Sequence, residues 1–312
     1  EEYIKAGVSA VKSNTFGANT VNFPEIKLRN KIIRAGYILA NKAAQKNDVR
    51  VFADIGYIFP ESGREDCNIE KEYIDIAEEF IKIGAKNFIF ETMPEYNCIK
   101  KALVKIKQKV PTSFIVVSFA ISQDGYSSKG HYYKRLISQA RKDGIADVTG
   151  INCVCGPGHI LNLIRDCDTE TKDFCAMPNS GYPEVVNGRT VYVNNTEYFA
   201  EKILRIYEKG IFFLGGCCGT TPSHIAAAIK KIKAYKPEIK PKTDFNFTLE
   251  ENLSNFLSDI HVDKLSDSHS DETEDILQKE SFVDKIQSGK KVIAVEIDPP
   301  GTLDTSFIMQ AA

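Results

Sequence analysis

Up to about residue 235 the chain repeats one alternation: a short continuous apolar run, then a longer segment with helical spacing. The apolar runs at residues 10–14, 49–53, 87–90, 114–117, 147–151, 174–177 and 211–214 do not alternate with polar positions. Parallel strands covered on both faces read this way. The segments between them read as helices, among them 69–84, 132–144, 196–210 and 222–235. Gly84, Gly144 and Gly210 each stand where a helix would end and the next strand begin. Seven such units predict an α/β fold, a (β/α)₈ TIM barrel lacking its first strand. A doubly wound sheet is the second choice, but no Gly-rich dinucleotide turn accompanies the strands. In the barrel, chemistry belongs at the C-terminal strand ends.

The texture changes near Lys236. Residues 1–236 read as the barrel and 237–285 as an acidic linker, expected to be disordered, with Asp271-Glu272-Thr273-Glu274-Asp275 at its centre and a helical turn near 249–260. Residues 286–312 read as the start of a second domain, whose first strand would be 292–297 and whose turn would be Asp298-Pro299-Pro300-Gly301. The chain lacks an initiating Met and stops inside an apolar pattern, so both ends look cut. A barrel missing one parallel strand exposes two unpaired edges. The run 292–297 is read first as an excursion beyond the linker, and second as a substitute strand on the vacant edge beside 10–14.

Forty basic and 42 acidic residues in 312 give a net charge of −2, which offers no basic excess for nucleic acid. No apolar run approaches the ~18 residues of a membrane span, and no secretory signal opens the chain. Eight cysteines without such a signal point to a reducing, cytoplasmic setting, where thiols act as ligands or nucleophiles. Cys67, Cys98, Cys167 and Cys175 have no ligand spacing and read as ordinary packing residues.

The other thiols end strands. Cys217 and Cys218 follow the run 211–214 within Gly215-Gly216-Cys217-Cys218-Gly219-Thr220-Thr221-Pro222, and Cys153 follows 147–151 within Gly150-Ile151-Asn152-Cys153-Val154-Cys155-Gly156-Pro157. Three strand-end cysteines can hold Zn²⁺ at ~2.3 Å each and leave a fourth tetrahedral position open, the mark of a catalytic site. A thiol entering that position would be deprotonated yet remain nucleophilic. Pro157 and Pro222 suit first helical turns and Thr221 suits an N-cap, so the positive ends of two helices would face the thiolates. A lone Cys-Cys pair is more often packing than ligation. A closed structural zinc with Cys155 as fourth ligand requires Cys153-Val154-Cys155 spacing, tighter than usual, and a redox dithiol would favour Cys-x-x-Cys, which is absent. The thiols alone leave these readings standing.

The two cysteine motifs resemble the zinc motifs of the homocysteine S-methyltransferase family. Ser13-Asn14-Thr15-Phe16-Gly17-Ala18-Asn19, Phe90-Glu91-Thr92 and Met177-Pro178-Asn179-Ser180-Gly181-Tyr182-Pro183 agree with it in order and spacing, over roughly residues 1 to 235. The resemblance implies one Zn²⁺ held by Cys153, Cys217 and Cys218, homocysteine as small-molecule substrate, and methyl transfer to its thiolate to give methionine. It implies that Glu91 recognises the homocysteine amino group and that Asn14, Thr15, Asn152 and Asn179 are polar groups of the pocket. The plain alternatives are a solvated strand-end carboxylate for Glu91 and loop hydrogen bonding for the other four. The family's Asp-Gly-rich first strand, whose aspartate touches substrate, has no counterpart here, so the fragment alone is not assured of activity.

Lys291 to Gly301 resembles the opening strand of methylenetetrahydrofolate reductase domains. That implies a parent with a covalently linked reductase, FAD confined to that downstream domain, and a place in one-carbon metabolism and methionine biosynthesis. The methyl donor stays open among methyltetrahydrofolate, methylcobalamin, S-methylmethionine and betaine. A zinc-stabilised, non-catalytic scaffold attached to a reductase module is the reading from another class. Neither nucleic acid nor membrane is an expected partner.

Overall fold

The computed structural model describes residues 1–45, 47–59, 66–165, 173–181, 183–186, 189–192, 195–235 and 292–295, with backbone alone for 66–67, 183–192 and 292–295. Strands β1 (Ala10–Lys12), β2 (Arg50–Gly56), β3 (Asn87–Met93), β4 (Phe114–Ala120), β5 (Val148–Asn152) and β6 (Phe174–Met177) are followed by an antiparallel hairpin, β7 (Pro183–Val186) and β8 (Arg189–Tyr192), and then by β9 (Phe213–Leu214) and β10 (Val292–Val295). Apart from the hairpin the strands are parallel, in the order β1-β2-β3-β4-β5-β6-β9-β10, with β10 returning to β1. The helices are α1 (Glu2–Lys5), α2 (Ile26–Ala44), α3 (Asp66–Lys82), α4 (Asn97–Lys109), α5 (Tyr133–Lys142), α6 (Pro157–Leu163), α7 (Thr196–Glu208) and α8 (Pro222–Ala234). No helix among the described residues is long and apolar enough to cross a membrane.

Within residues 1–235 the expected strands and helices are present. Gly84, Gly144 and Gly210 have φ of 81°, 64° and 85°, the left-handed conformation that ends a helix without a Cβ penalty. Alternate strand residues point inward, where Ala10, Phe52, Ile89, Phe114, Val116 and Phe213 belong to one apolar cluster. The opposite strand faces pack on the helices through Val11, Ala53, Phe90, Val117 and Ile151. Gly150 lets β5 lie tight against β6, since a Cβ there would fall 2.0 Å from the Cys175 carbonyl oxygen.

The barrel differs from the sequence expectation at its vacant edge. Val292–Val295 is not an excursion: it pairs in parallel with β1 (Ala10↔Ala294, Val11↔Val295) and with β9 (Val292↔Phe213, Ile293↔Leu214), standing where the first strand was lacking. The unpaired backbone of both edges explains the choice. The linker 237–285, and the second-domain reading of 286–312 beyond this strand, lie outside the described residues, as does any flavin site there.

Moving toward the strand C-termini, the inward face turns polar. Lys12, Asp54, Glu91 and Ser118 stand two residues after Ala10, Phe52, Ile89 and Val116, and Asn152 stands four after Val148. All five are at most 1% exposed. This buried polar layer is the floor of the candidate site.

Candidate active site

Three loops meet above that layer. The loop after β6 clamps the two cysteine segments through its backbone. Cys153 N–H donates to Met177 O (3.1 Å) and Cys217 N–H to Pro178 O (2.8 Å), while Asn179 N–H reaches Cys155 O and Ser180 N–H reaches Cys218 O, both at 3.0 Å. The thiols of Cys153, Cys217 and Cys218 thereby converge, all within 4.8 Å of one another, with Cys153 Sγ 3.6 Å from Cys218 Sγ. Cys217 is buried and the other two are half-buried. Three soft donors at this separation suit one Zn²⁺, with the remaining position left to a ligand.

Cys155 stands apart from this group. It is buried, its thiol donates to Ile121 O at 3.2 Å, and burial pushes it up to about 11. The closed four-thiol reading therefore loses its fourth ligand. Cys175 sits inside the barrel and Cys98 is half-buried, each away from the cluster; the side chains of Cys67 and Cys167 lie outside the described residues.

The backbone here is held in uncommon conformations. Asn14, Thr92, Cys153 and Val154 have φ of 55°, 61°, 59° and 59°, each just past or at the end of a strand. Such non-glycine conformations cost on the order of 1–3 kcal/mol apiece and persist where the surroundings enforce them. Val154 is the most constrained, being β-branched, and it is also exposed. In β3 the register to β4 shifts between Phe90 and Met93, a bulge that spans Glu91.

Asn152 connects the two halves of the site. Its Oδ1 accepts from Thr92 N–H (2.8 Å), and its Nδ2 donates to Thr92 Oγ1 (2.8 Å) and lies 3.4 Å from Glu91 Oε2 and 3.8 Å from Cys217 Sγ. Glu91 is fully buried, and both its oxygens accept from Lys12 Nζ, at 2.8 and 2.7 Å. Burial pushes the Glu91 carboxyl up to about 8; Lys12 opposes this, and the adjacent Asp54 carboxyl, hydrogen-bonded to it, reinforces it. Two short contacts from one ammonium to both oxygens are nonetheless the geometry of a carboxylate.

Other candidate residues have partners of their own. Thr15 Oγ1 donates to Asp54 O (2.7 Å) and lies 2.6 Å from Ser13 Oγ, which ties the loop after β1 to β2. Asn14 is half-buried beside it. Asn179 Oδ1 and Ser180 Oγ are buried without a hydrogen-bond partner among the described residues, a capacity that a polar ligand would satisfy. Thr221 precedes α8 as expected, and its N–H donates to His224 Nδ1 at 3.2 Å. Sequence reasoning missed Lys12 and Asp54. The signal was there: each is a charged residue two positions after an inward apolar one.

The family model described as homocysteine S-methyltransferase matches residues 1–232. Methionine synthase of Mycobacterium leprae is 24% identical over 275 residues, covering 83% of this chain and 23% of that protein. Methionine synthase of Mycobacterium tuberculosis is 25% identical over 266 residues, covering 76% and 22%. The chain thus spans less than a quarter of these relatives. Among solved structures, the homocysteine methyltransferase MmuM of Escherichia coli in its metallated form superposes with a TM-score of 0.59 at 20% identity, covering 74% of this chain and 82% of that one. Its oxidised form gives the same TM-score at 18% identity. At these identities the likeness is one of fold.

Proposed function

The chain belongs to the homocysteine S-methyltransferase family, and from that premise we propose that it transfers a methyl group to the sulfur of homocysteine, giving methionine, at the three-thiol site. The observation that carries the reading is the convergence of Cys153, Cys217 and Cys218 above a buried layer containing Glu91. Those three residues would hold Zn²⁺, which when bound supplies the Lewis acidity that keeps a thiol substrate deprotonated at neutral pH.

The remaining work falls to the chain itself. The backbone clamp of residues 177–180 fixes the spacing of the two cysteine segments before any ligand arrives. Asn152 sets the height of Glu91 relative to Cys217 through its one amide. Glu91 and Asp54 provide negative charge for the α-ammonium of the amino-acid thiol, and Asn179 and Ser180 provide unsatisfied polar atoms beside the thiols. The apolar barrel interior beneath excludes water. In the net reaction the bond from the donor to its methyl group breaks, a sulfur–carbon bond forms, and the thiol proton passes to solvent.

Isothermal titration of homocysteine into the zinc-loaded and the chelator-treated chain tests this, with circular dichroism on both. The expected result is binding that disappears with the metal while the fold persists. Unfolding on chelation would instead favour the non-catalytic scaffold.

A further inference from the structure

The Lys12–Glu91 pair is not accounted for by the reading above. Glu91 is meant to receive the substrate's ammonium, yet both its oxygens already accept from an ammonium that belongs to the protein, and both side chains are completely buried. Asp54 adjoins the same carboxyl. Without Lys12 the two carboxyls would stand in a buried layer with no counter-charge, a costly arrangement in the absence of ligand.

We propose that Lys12 is a specificity-determining residue, an internal stand-in for the substrate's α-ammonium that holds Glu91 in the empty site and competes with that ammonium when the substrate arrives. The proposal rests on the homocysteine reading of the pocket. Its physical content is a like-charge opposition: two ammonium groups drawn to one carboxylate repel each other, so Lys12 lowers the advantage an amino group gives a thiol ligand. A lysine that read the substrate carboxylate would act in another direction, favouring every thiol acid equally.

The test measures dissociation constants for homocysteine and for 4-sulfanylbutanoate, its analogue without the amino group, on the zinc-loaded full chain. The ratio of the two constants is the amine preference. Lys12→Met should raise that preference about tenfold or more, chiefly by tightening homocysteine. Lys12→Gln, which keeps a donor toward Glu91 without the charge, should do the same and serves if Lys12→Met does not fold. An unchanged ratio in folded variants would make Lys12 a structural counterion only, and equal weakening of both ligands would make it a carboxylate reader; either result overturns the proposal. If the wild-type chain binds no homocysteine, the functional reading fails first and takes this one with it.

Discussion

Replacing Glu91 by glutamine removes one charge from an ion pair with no solvent exposure on either side chain. Deleting one partner of such a pair leaves the other charge uncompensated, at roughly 3–5 kcal/mol. The cost has a ceiling, because the orphan can neutralise itself. Lys12 must then give up a proton at pH 7 from a reference pKa near 10.4, about 3.4 units at ~1.36 kcal/mol each, or ~4.6 kcal/mol. For Lys12→Met the orphan is Glu91, which needs to take up a proton from a reference near 4.3, about 2.7 units, a ceiling of ~3.7 kcal/mol. Glu91→Gln should therefore be the more damaging single change. The double variant Lys12→Met/Glu91→Gln, nearly isosteric and uncharged, should recover on the order of 2–3 kcal/mol relative to the sum of the singles. Urea denaturation of the four proteins gives this coupling directly. Singles that add within ~0.5 kcal/mol would refute the buried pair. The same Glu91→Gln protein should bind homocysteine roughly ten- to a hundredfold more weakly, the worth of a charge-assisted hydrogen bond, with its zinc content unchanged. Zinc loss would place Glu91 among the ligands instead.

Further outcomes follow from other parts of the structure. Cys217→Ala should lose most of the bound zinc by elemental analysis while Cys155→Ala, whose thiol faces Ile121 O, retains it; the reverse pattern would reassign the ligands. Burial holds the His224 imidazole below its ordinary value of 6.5, so the unfolded chain takes up a proton there that the native chain refuses, and stability is lost as pH falls below about 6.5. Melting temperatures from pH 7.5 to 5.5 should fall more steeply for wild type than for His224→Gln, which keeps an acceptor for Thr221 N–H; parallel curves would rule this out. In amide hydrogen exchange, residues 292–295 should be protected, and removing 237–312 should speed exchange in β1 and β9. Fast exchange at 292–295 in the intact chain would remove β10 from the barrel.

The barrel was legible because a continuous apolar strand repeats seven times and three of the helices end at glycines. The strand ends were not. Runs expected to stop at Ala53, Phe90 and Val117 continue to Gly56, Met93 and Ala120. They were cut short where polarity begins, and those polar residues, Asp54, Glu91 and Ser118, are the inward layer beneath the site. Lys12 escaped notice for a related reason. A lysine near a strand end reads as solvated until the structure places its ammonium on Glu91, with β2 between the two strands. The cysteines were found by sequence, since two adjacent thiols after a strand are rare. The clamp that sets their spacing is all backbone hydrogen bonds, which leave no trace in residue identity. The place of 292–295 depended on a vacancy some 280 residues away in the chain, beyond the reach of local pattern.

The central claim is that Cys153, Cys217 and Cys218 form an open three-thiolate site whose remaining position is taken by the substrate's sulfur. Zinc K-edge absorption of the metal-loaded chain, with and without homocysteine, counts sulfur donors directly. The account predicts three sulfurs without the substrate and four with it. Four sulfurs before homocysteine is added, or a count that homocysteine leaves at three, would contradict it.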